Sequence, residues 1–236
     1  MSTRSLGSIV GETELGSKTL HACNVTNEKA LKTVGRFLSK HEVKKVKDKT
    51  ASGKPRNTLL LESDGRFVAA NSLERVARFA AQSGQPSHKT EIPAVIKHLD
   101  GTRFRSYDKR RMIMASRIVE FRAWNQREGT LHAGFQQLSK VDLQRNVYHN
   151  LSTVDLDVHV YGEDDWDRPD DIDVHVHASD AKEIVKHWWV VYDGGGRDDR
   201  KASLLAQETG DNEFYGFWTY DAGTTDQILD RLSAMH

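Results

Sequence analysis

Residues 187–220 read HWWVVYDGGGRDDRKASLLAQETGDNEFYGFWTY. Three apolar runs stand out within them: His187–Tyr192 (HWWVVY), Ala202–Gln207 (ASLLAQ) and Phe214–Tyr220 (FYGFWTY). Each is strand-length and is bounded by residues that favour turns, so each reads as a β-strand. A strand that is apolar at successive positions has no wet face, which places these three in the middle of a sheet covered on both sides. The fold class that follows is α/β, a mixed sheet with helices packed on it.

Working outward, Asp155–Tyr161 and Asp171–His177 alternate strictly. Leu156, Val158 and Val160 alternate with Asp155, Asp157 and His159, and Ile172, Val174 and Val176 alternate with Asp171, Asp173, His175 and His177. These are strands with one wet face. Asp108–Asn125 carries apolar residues around most of a helical circumference (Met112, Met114, Ile118, Val119, Phe121, Trp124), which marks a helix buried on more than one side. Thr130–Gln136 reads as a strand, Val141–Leu151 as a helix and Thr224–Met235 as a closing amphipathic helix. Toward the N-terminus, Lys18–Val25 (strand) and Glu28–Ser39 (helix) form a βα unit. Thr58–Glu62 and Arg66–Asn71 flank the turn Ser63-Asp64-Gly65 as a hairpin, and Ser72 caps a helix running to Gln82. Lys44–Asn57 (KKVKDKTASGKPRN) has little to bury and reads as an exposed loop, and Ser83–Thr90 (SGQPSHKT) as a linker. The division expected is an N-terminal α/β lobe over 1–105 and a C-terminal lobe over 106–236 that holds the central strands.

The 236 residues are 37% hydrophobic and 29% charged, with five Trp, eight Phe and six Tyr, enough to fill a core and to exclude global disorder. No window has the length of a membrane span or a signal-peptide core. The single cysteine, Cys23, allows no internal disulfide and fits a reducing cytoplasm. The expectation is a soluble cytoplasmic chain with no membrane partner. The zero net charge conceals an asymmetry: residues 1–150 carry 27 Lys and Arg against 14 Asp and Glu, and residues 151–236 carry 7 against 20. A basic first part of this kind supplies the field for nucleic-acid binding. Its charges are scattered rather than clustered, so packing or solvation of unlike faces is the favoured reading and nucleic acid an alternative partner.

Catalytic signatures are not found. Gly11–Thr19 (GETELGSKT) approaches a phosphate loop, but Ser17 is inserted before the Lys and a strand follows where the phosphate needs a helix N-terminus. The Gly194-Gly195-Gly196 run follows Asp193 and precedes Asp198 and Asp199, charges that repel an anion. The loop Gly162–Asp170 (GEDDWDRPD) departs from the EF-hand order of ligands. No GxSxG occurs, and Cys23 has no evident histidine partner. The reading is therefore not an enzyme. The alternation of Asp157, His159, His175 and His177 offers imidazole and carboxylate to a divalent ion. A solvated polar sheet face accounts for the same pattern and is preferred, which leaves a metal-dependent enzyme as a further alternative and the cofactor unknown.

Five blocks carry a family resemblance: Ser106–Ser139 (SYDKRRMIMASRIVEFRAWNQREGTLHAGFQQLS), Asp157–Tyr161 (DVHVY), Trp189–Gly194 (WVVYDG), Ala202–Glu208 (ASLLAQE) and Gly216–Asp221 (GFWTYD). In order and spacing they resemble the DICT sensory domain, over about residues 15–235, and KTLHACN and SGKPRN are similar to archaeal members. The neutral charge departs from the acidity expected of relatives from salt-adapted cells. The resemblance implies a sensory role in signal transduction or transcriptional regulation, with an unknown small molecule or stimulus as input. No kinase, cyclase or winged-helix region accompanies the blocks, so the output is expected from a partner protein in trans. Strand parity gives the candidate ligand site: Trp189 and Asp193 on one strand, and Trp218 and Tyr220 on another, form a single aromatic face with a gap at Gly216 if the two faces coincide. Arg122, Trp124 and Phe135 are expected as its walls.

Overall fold

The computed structural model describes residues 4–82 and 91–235; the linker expected at Ser83–Thr90 lies outside them. The chain opens with α1 (Leu6–Glu12), capped by Ser5 and burying Leu6, Ile9 and Val10. Backbone contacts divide the protein into two compact units, residues 14–114 and residues 115–236 together with 1–13.

In the unit of residues 14–114, β1 (Lys18–Cys23), α2 (Glu28–Phe37), β2 (Lys44–Asp48), β3 (Thr58–Ser63), β4 (Arg66–Ser72), α3 (Leu73–Gln82), α4 (Ala94–Lys97) and β5 (Thr102–Tyr107) follow in order. A four-stranded sheet runs β2-β1-β3-β4. The β3–β4 hairpin forms on the expected turn, with Asp64 and Gly65 both at positive φ (49° and 79°). Ser72 caps α3 through its hydroxyl, which accepts the Arg75 N–H at 3.3 Å.

The loop expected over Lys44–Asn57 needs correction at its start, because Lys44–Asp48 pairs in parallel with β1. An edge strand is held by backbone hydrogen bonds and need bury no side chain. Its exposed lysines, invisible as a strand signal, also discourage further edge pairing. From Lys49 to Arg56 nearly all side chains are exposed, as expected.

The second unit is built on one sheet. The long helix α5 (Lys109–Gln126), through which the division of the chain runs, precedes β6 (Thr130–Gln137), α6 (Arg145–Ser152), β7 (Asp157–Glu163), β8 (His175–Ala178), α7 (Lys182–Val185), β9 (His187–Tyr192), β10 (Ala202–Gly210), β11 (Glu213–Thr219) and α8 (Ala222–Ser233). Its strands lie in the order β11-β10-β9-β6-β7-β8. Pairing is antiparallel from β11 to β6 and parallel from β6 to β8. Every residue of β9 is buried, as are the first five of β10, so the apolar runs do form the interior of the sheet. The strand expected at Asp171–His177 begins only at His175. Ile172 and Val174 are buried as the alternation requires, but they belong to the incoming loop.

Parallel neighbours require crossovers, and the routes taken leave one end of β7 and β8 exposed on one face of the sheet. From β6 to β7 the chain passes through α6, whose Tyr148 meets Phe135 edge-on at 5.1 Å. The loop before β8 is tied to the same helix, since His149 Nδ1 lies 2.7 Å from the Asp171 carbonyl. Helix α5 lies on this side too: the Trp188 indole donates to the Ser116 hydroxyl at 3.0 Å. On the opposite side α8 covers β10, with Ser203 and Thr225 hydroxyls 3.2 Å apart, and does not extend across the ends of β7 and β8, where Asp157 and His175 are exposed.

Candidate functional site

Register decides which side chains meet. Two rows cross the sheet on the side opposite α5: Val191, His132, His159 and His175 in one, and Trp189, Gly134, Tyr161 and His177 in the next. Side chains paired in register share a face, so four histidines, a tyrosine and a tryptophan converge there, flanked by Asp157 at the start of β7.

The contacts within this group are specific. Asp157 spans two imidazoles, its Oδ2 3.1 Å from His159 Nε2 and its Oδ1 3.0 Å from His175 Nε2. His159 Nδ1 lies 2.8 Å from His177 Nε2, and His132 Nδ1 lies 2.8 Å from the Tyr161 hydroxyl. The rings are stacked, with centroids 4.8 Å apart for His132 and His159, 4.8 Å for His159 and His175, and 4.5 Å for Tyr161 and His177. At the inner end Trp189 is fully buried, 5.6 Å from Tyr161, with an indole N–H that has no hydrogen-bond partner among the described residues. Gly134 permits this arrangement, because a Cβ there would overlap the Trp189 ring. Asp157 and His175 are exposed, His159 is half-buried and Tyr161 is buried, so the group runs from solvent into the core.

Burial sets the charge states along that gradient. Desolvation, reinforced by the neighbouring His159, lowers the His132 pKa to about 4. Burial pushes the Tyr161 hydroxyl well above its ordinary value, as does the Asp157 charge. Partial burial pulls Asp157 upward, but its hydrogen bond with His159 and the adjacent imidazoles outweigh that and hold it below the usual carboxylate range. The arrangement pairs a carboxylate at the mouth with a neutral His132 and a neutral Tyr161 inside.

The aromatic site expected from strand parity does not assemble. Trp189 is in register with Leu205, and Leu205 with Phe217, whereas Trp218 is in register with Leu204 and Val190. Trp189 and Trp218 therefore lie on opposite faces, each fully buried. Nor does Gly216 leave a gap, since a Cβ there would meet the Leu205 carbonyl and Ala206. Phe135 is core, against Tyr148. Asp193 is a turn residue whose Oδ1 accepts the Thr130 and Gly195 N–H groups, both at 2.9 Å. Arg122 and Tyr220 do meet, the guanidinium 4.7 Å from the ring centroid, but Arg122 is occupied with the Arg200 carbonyl at 2.7 Å. Trp124 faces outward beside Phe121.

Of the alternating acidic and histidine residues, Asp157, His159, His175 and His177 are brought together, while Asp171 pairs with Arg145 on the other side of the sheet at 2.5 Å. Sequence reasoning missed His132 and Tyr161. Their signal was faint: His132 is a single ring between Leu131 and Ala133 in a Gly-containing strand, and Tyr161 closes an alternating one.

Among the described residues, no helix is long and apolar enough to cross a membrane. No curated protein matches the chain. A family model described as the sensory domain in diguanylate cyclases and two-component systems matches residues 90–209, a span that holds α5, β6 to β9, all of β10 but its last residue, and the whole histidine group. The chain belongs to that family, DICT, and its matched half is a sensory domain of signalling proteins.

Proposed function

We propose that this protein receives its stimulus on the open row formed by Asp157, His159 and His175, and that it binds the stimulus without turning it over. The observation that carries this reading is the Asp157 carboxylate held between two imidazole Nε2 atoms at 3.0–3.1 Å, on rings that connect by stacking and hydrogen bonds to buried Tyr161 and Trp189. A group bound at the mouth competes for His159 Nε2 and so selects the tautomer of that ring. That change passes to His177 and from there into the packing beneath. The output, in signal transduction or transcriptional control, is made by a partner protein that reads the state of the sheet.

A thermal-shift screen of the full chain against small anions, nucleotides, aromatic metabolites and metal ions tests this. The expected result is that a compound raising the melting temperature of the wild type loses its effect in His159→Ala and His177→Ala and keeps it in Trp124→Ala. Stabilisation that survives both histidine changes would place the input elsewhere and overturn the reading.

A further inference from the structure

Asp157, His159 and His175 place one carboxylate oxygen and two imidazole nitrogens within 4.8 Å of one another. The two rings stack with an interplanar angle of 26° and direct their Nε2 atoms at the two oxygens of one carboxylate. We infer that this triad binds a single first-row divalent transition cation of the zinc type, an inference that rests on reading the open row as the place where the stimulus arrives.

Three features of the geometry support it. Metal–nitrogen and metal–oxygen bonds of about 2.0–2.2 Å put tetrahedral donors about 3.4 Å apart. Each imidazole here already stands 3.0–3.1 Å from one oxygen of the Asp157 carboxylate, and the three donors lie within 4.8 Å of one another, so a rotation of the carboxylate and a drawing-in of the exposed His175 ring bring them onto one ion. Two nitrogen donors disfavour Mg2+ and Ca2+, which take oxygen ligands. Three protein ligands leave a coordination position for water, and with Asp157 and His175 side chains 52% and 67% exposed the ion can enter and leave. Closed sites serve structure, whereas an accessible and incomplete one suits reversible occupancy.

The surroundings supply what such a site needs behind its ligands. A histidine bound to metal through Nε2 carries its remaining proton on Nδ1 and donates it to an acceptor that fixes the ring. His159 Nδ1 has that acceptor in His177 Nε2, 2.8 Å away. Without a cation, the proton between these two rings can sit on either nitrogen. With one, only Nδ1–H of His159 is compatible, so His177 must present an unprotonated Nε2. Occupancy thereby selects one tautomer of a ring stacked on Tyr161, which gives the cation a route into the buried part of the sheet.

Chelator-treated full-length protein, titrated with Zn2+ by calorimetry and with Co2+ by visible absorption, tests the inference. One equivalent should bind, the Co2+ spectrum should show intense low-coordinate bands, and His175→Ala and Asp157→Asn should each weaken binding at least 10-fold with unchanged melting of the metal-free protein. Mg2+ and Ca2+ should not compete. Absence of binding to the wild type, or equal affinity in His175→Ala, overturns the cation. An organic ligand that requires His159 while Zn2+ fails to bind removes the cation and keeps the functional reading. Zn2+ held by the triad with no change in amide exchange from β6 to β9 supports the cation and removes the sensory role of the row.

Discussion

His41 and His159 carry the same ring in opposite settings. His41 is 5% exposed in the unit of residues 14–114, hydrogen-bonded to the Tyr107 hydroxyl and 6.3 Å from Phe37. Burial, with Arg111 and Lys45 nearby, lowers its pKa to about 3. It is a fixed neutral part of a core. His159 has a carboxylate on one nitrogen, a second histidine on the other and solvent at hand. A histidine signals only when water or a ligand can reach the groups that set its proton, and the two crossovers that leave Asp157 and His175 exposed at one end of β7 and β8 decide that here. On the proposed reading the open row is the responsive part of the molecule, and the fully buried tryptophans beneath and beside it chiefly hold the packing.

The largest effect expected from this contrast is at those tryptophans. Trp189→Ala and Trp218→Ala each remove a fully buried indole and should cost about 3–5 kcal/mol in chemical denaturation. A folded Trp218→Ala protein with unchanged stability would reinstate Trp218 as a site residue and break the division. Next, Gly134→Ala forces the Trp189 ring to move and should cost about 1–3 kcal/mol through overpacking, even though its added methyl is no larger than those of its neighbours. An unaltered urea midpoint would mean that the ring has room to spare.

A gentler test sharpens the buried side of the comparison. The unfolded-state pKa of histidine is about 6.5 and that of folded His41 is about 3, so the unfolded chain binds the extra proton between those values. Stability therefore falls as pH drops from about 6.5 toward 3. His41→Gln keeps a hydrogen-bonding partner for Tyr107 without the titration, and should make the loss between pH 7 and pH 4.5 shallower. An identical slope in the variant would show that His41 is not held neutral.

How far the sequence revealed this follows from the physics of each element. The runs HWWVVY and ASLLAQ were legible because two apolar faces leave few alternatives to an interior strand. The hairpin was legible because Asp64-Gly65 accepts positive φ. The strand β2 was not, since backbone pairing leaves no mark on the lysines that make it. The pairing of Trp189 with Phe217's row rather than Trp218's was also hidden. Parity within a strand is local, but parity between strands depends on turn lengths, and β10 carries a register shift between Glu208 and Gly210 as well. For the same reason His159 and His175 were legible as polar-face residues, while the meeting of His132 with His159 depended on a parallel register that only the fold supplies.

The smallest effect expected is the most telling for the open row. His175 lies on the short edge strand β8 and is largely exposed. Its contacts are a stack on His159 at 4.8 Å and the Asp157 carboxylate at 3.0 Å. An exposed pair of this kind contributes about 0–1 kcal/mol, and replacing the ring by a methyl group leaves no cavity because water already borders it. His175→Ala should therefore change the denaturation free energy by less than about 0.5 kcal/mol, the range typical of surface substitutions, while altering whatever binds at the row. The two quantities separate the roles: a structural residue moves stability, and a receiving residue moves binding alone. A drop of several degrees in the melting temperature of His175→Ala would place the ring among the supports of β8, and the contrast with His41 would then be one of degree rather than of kind.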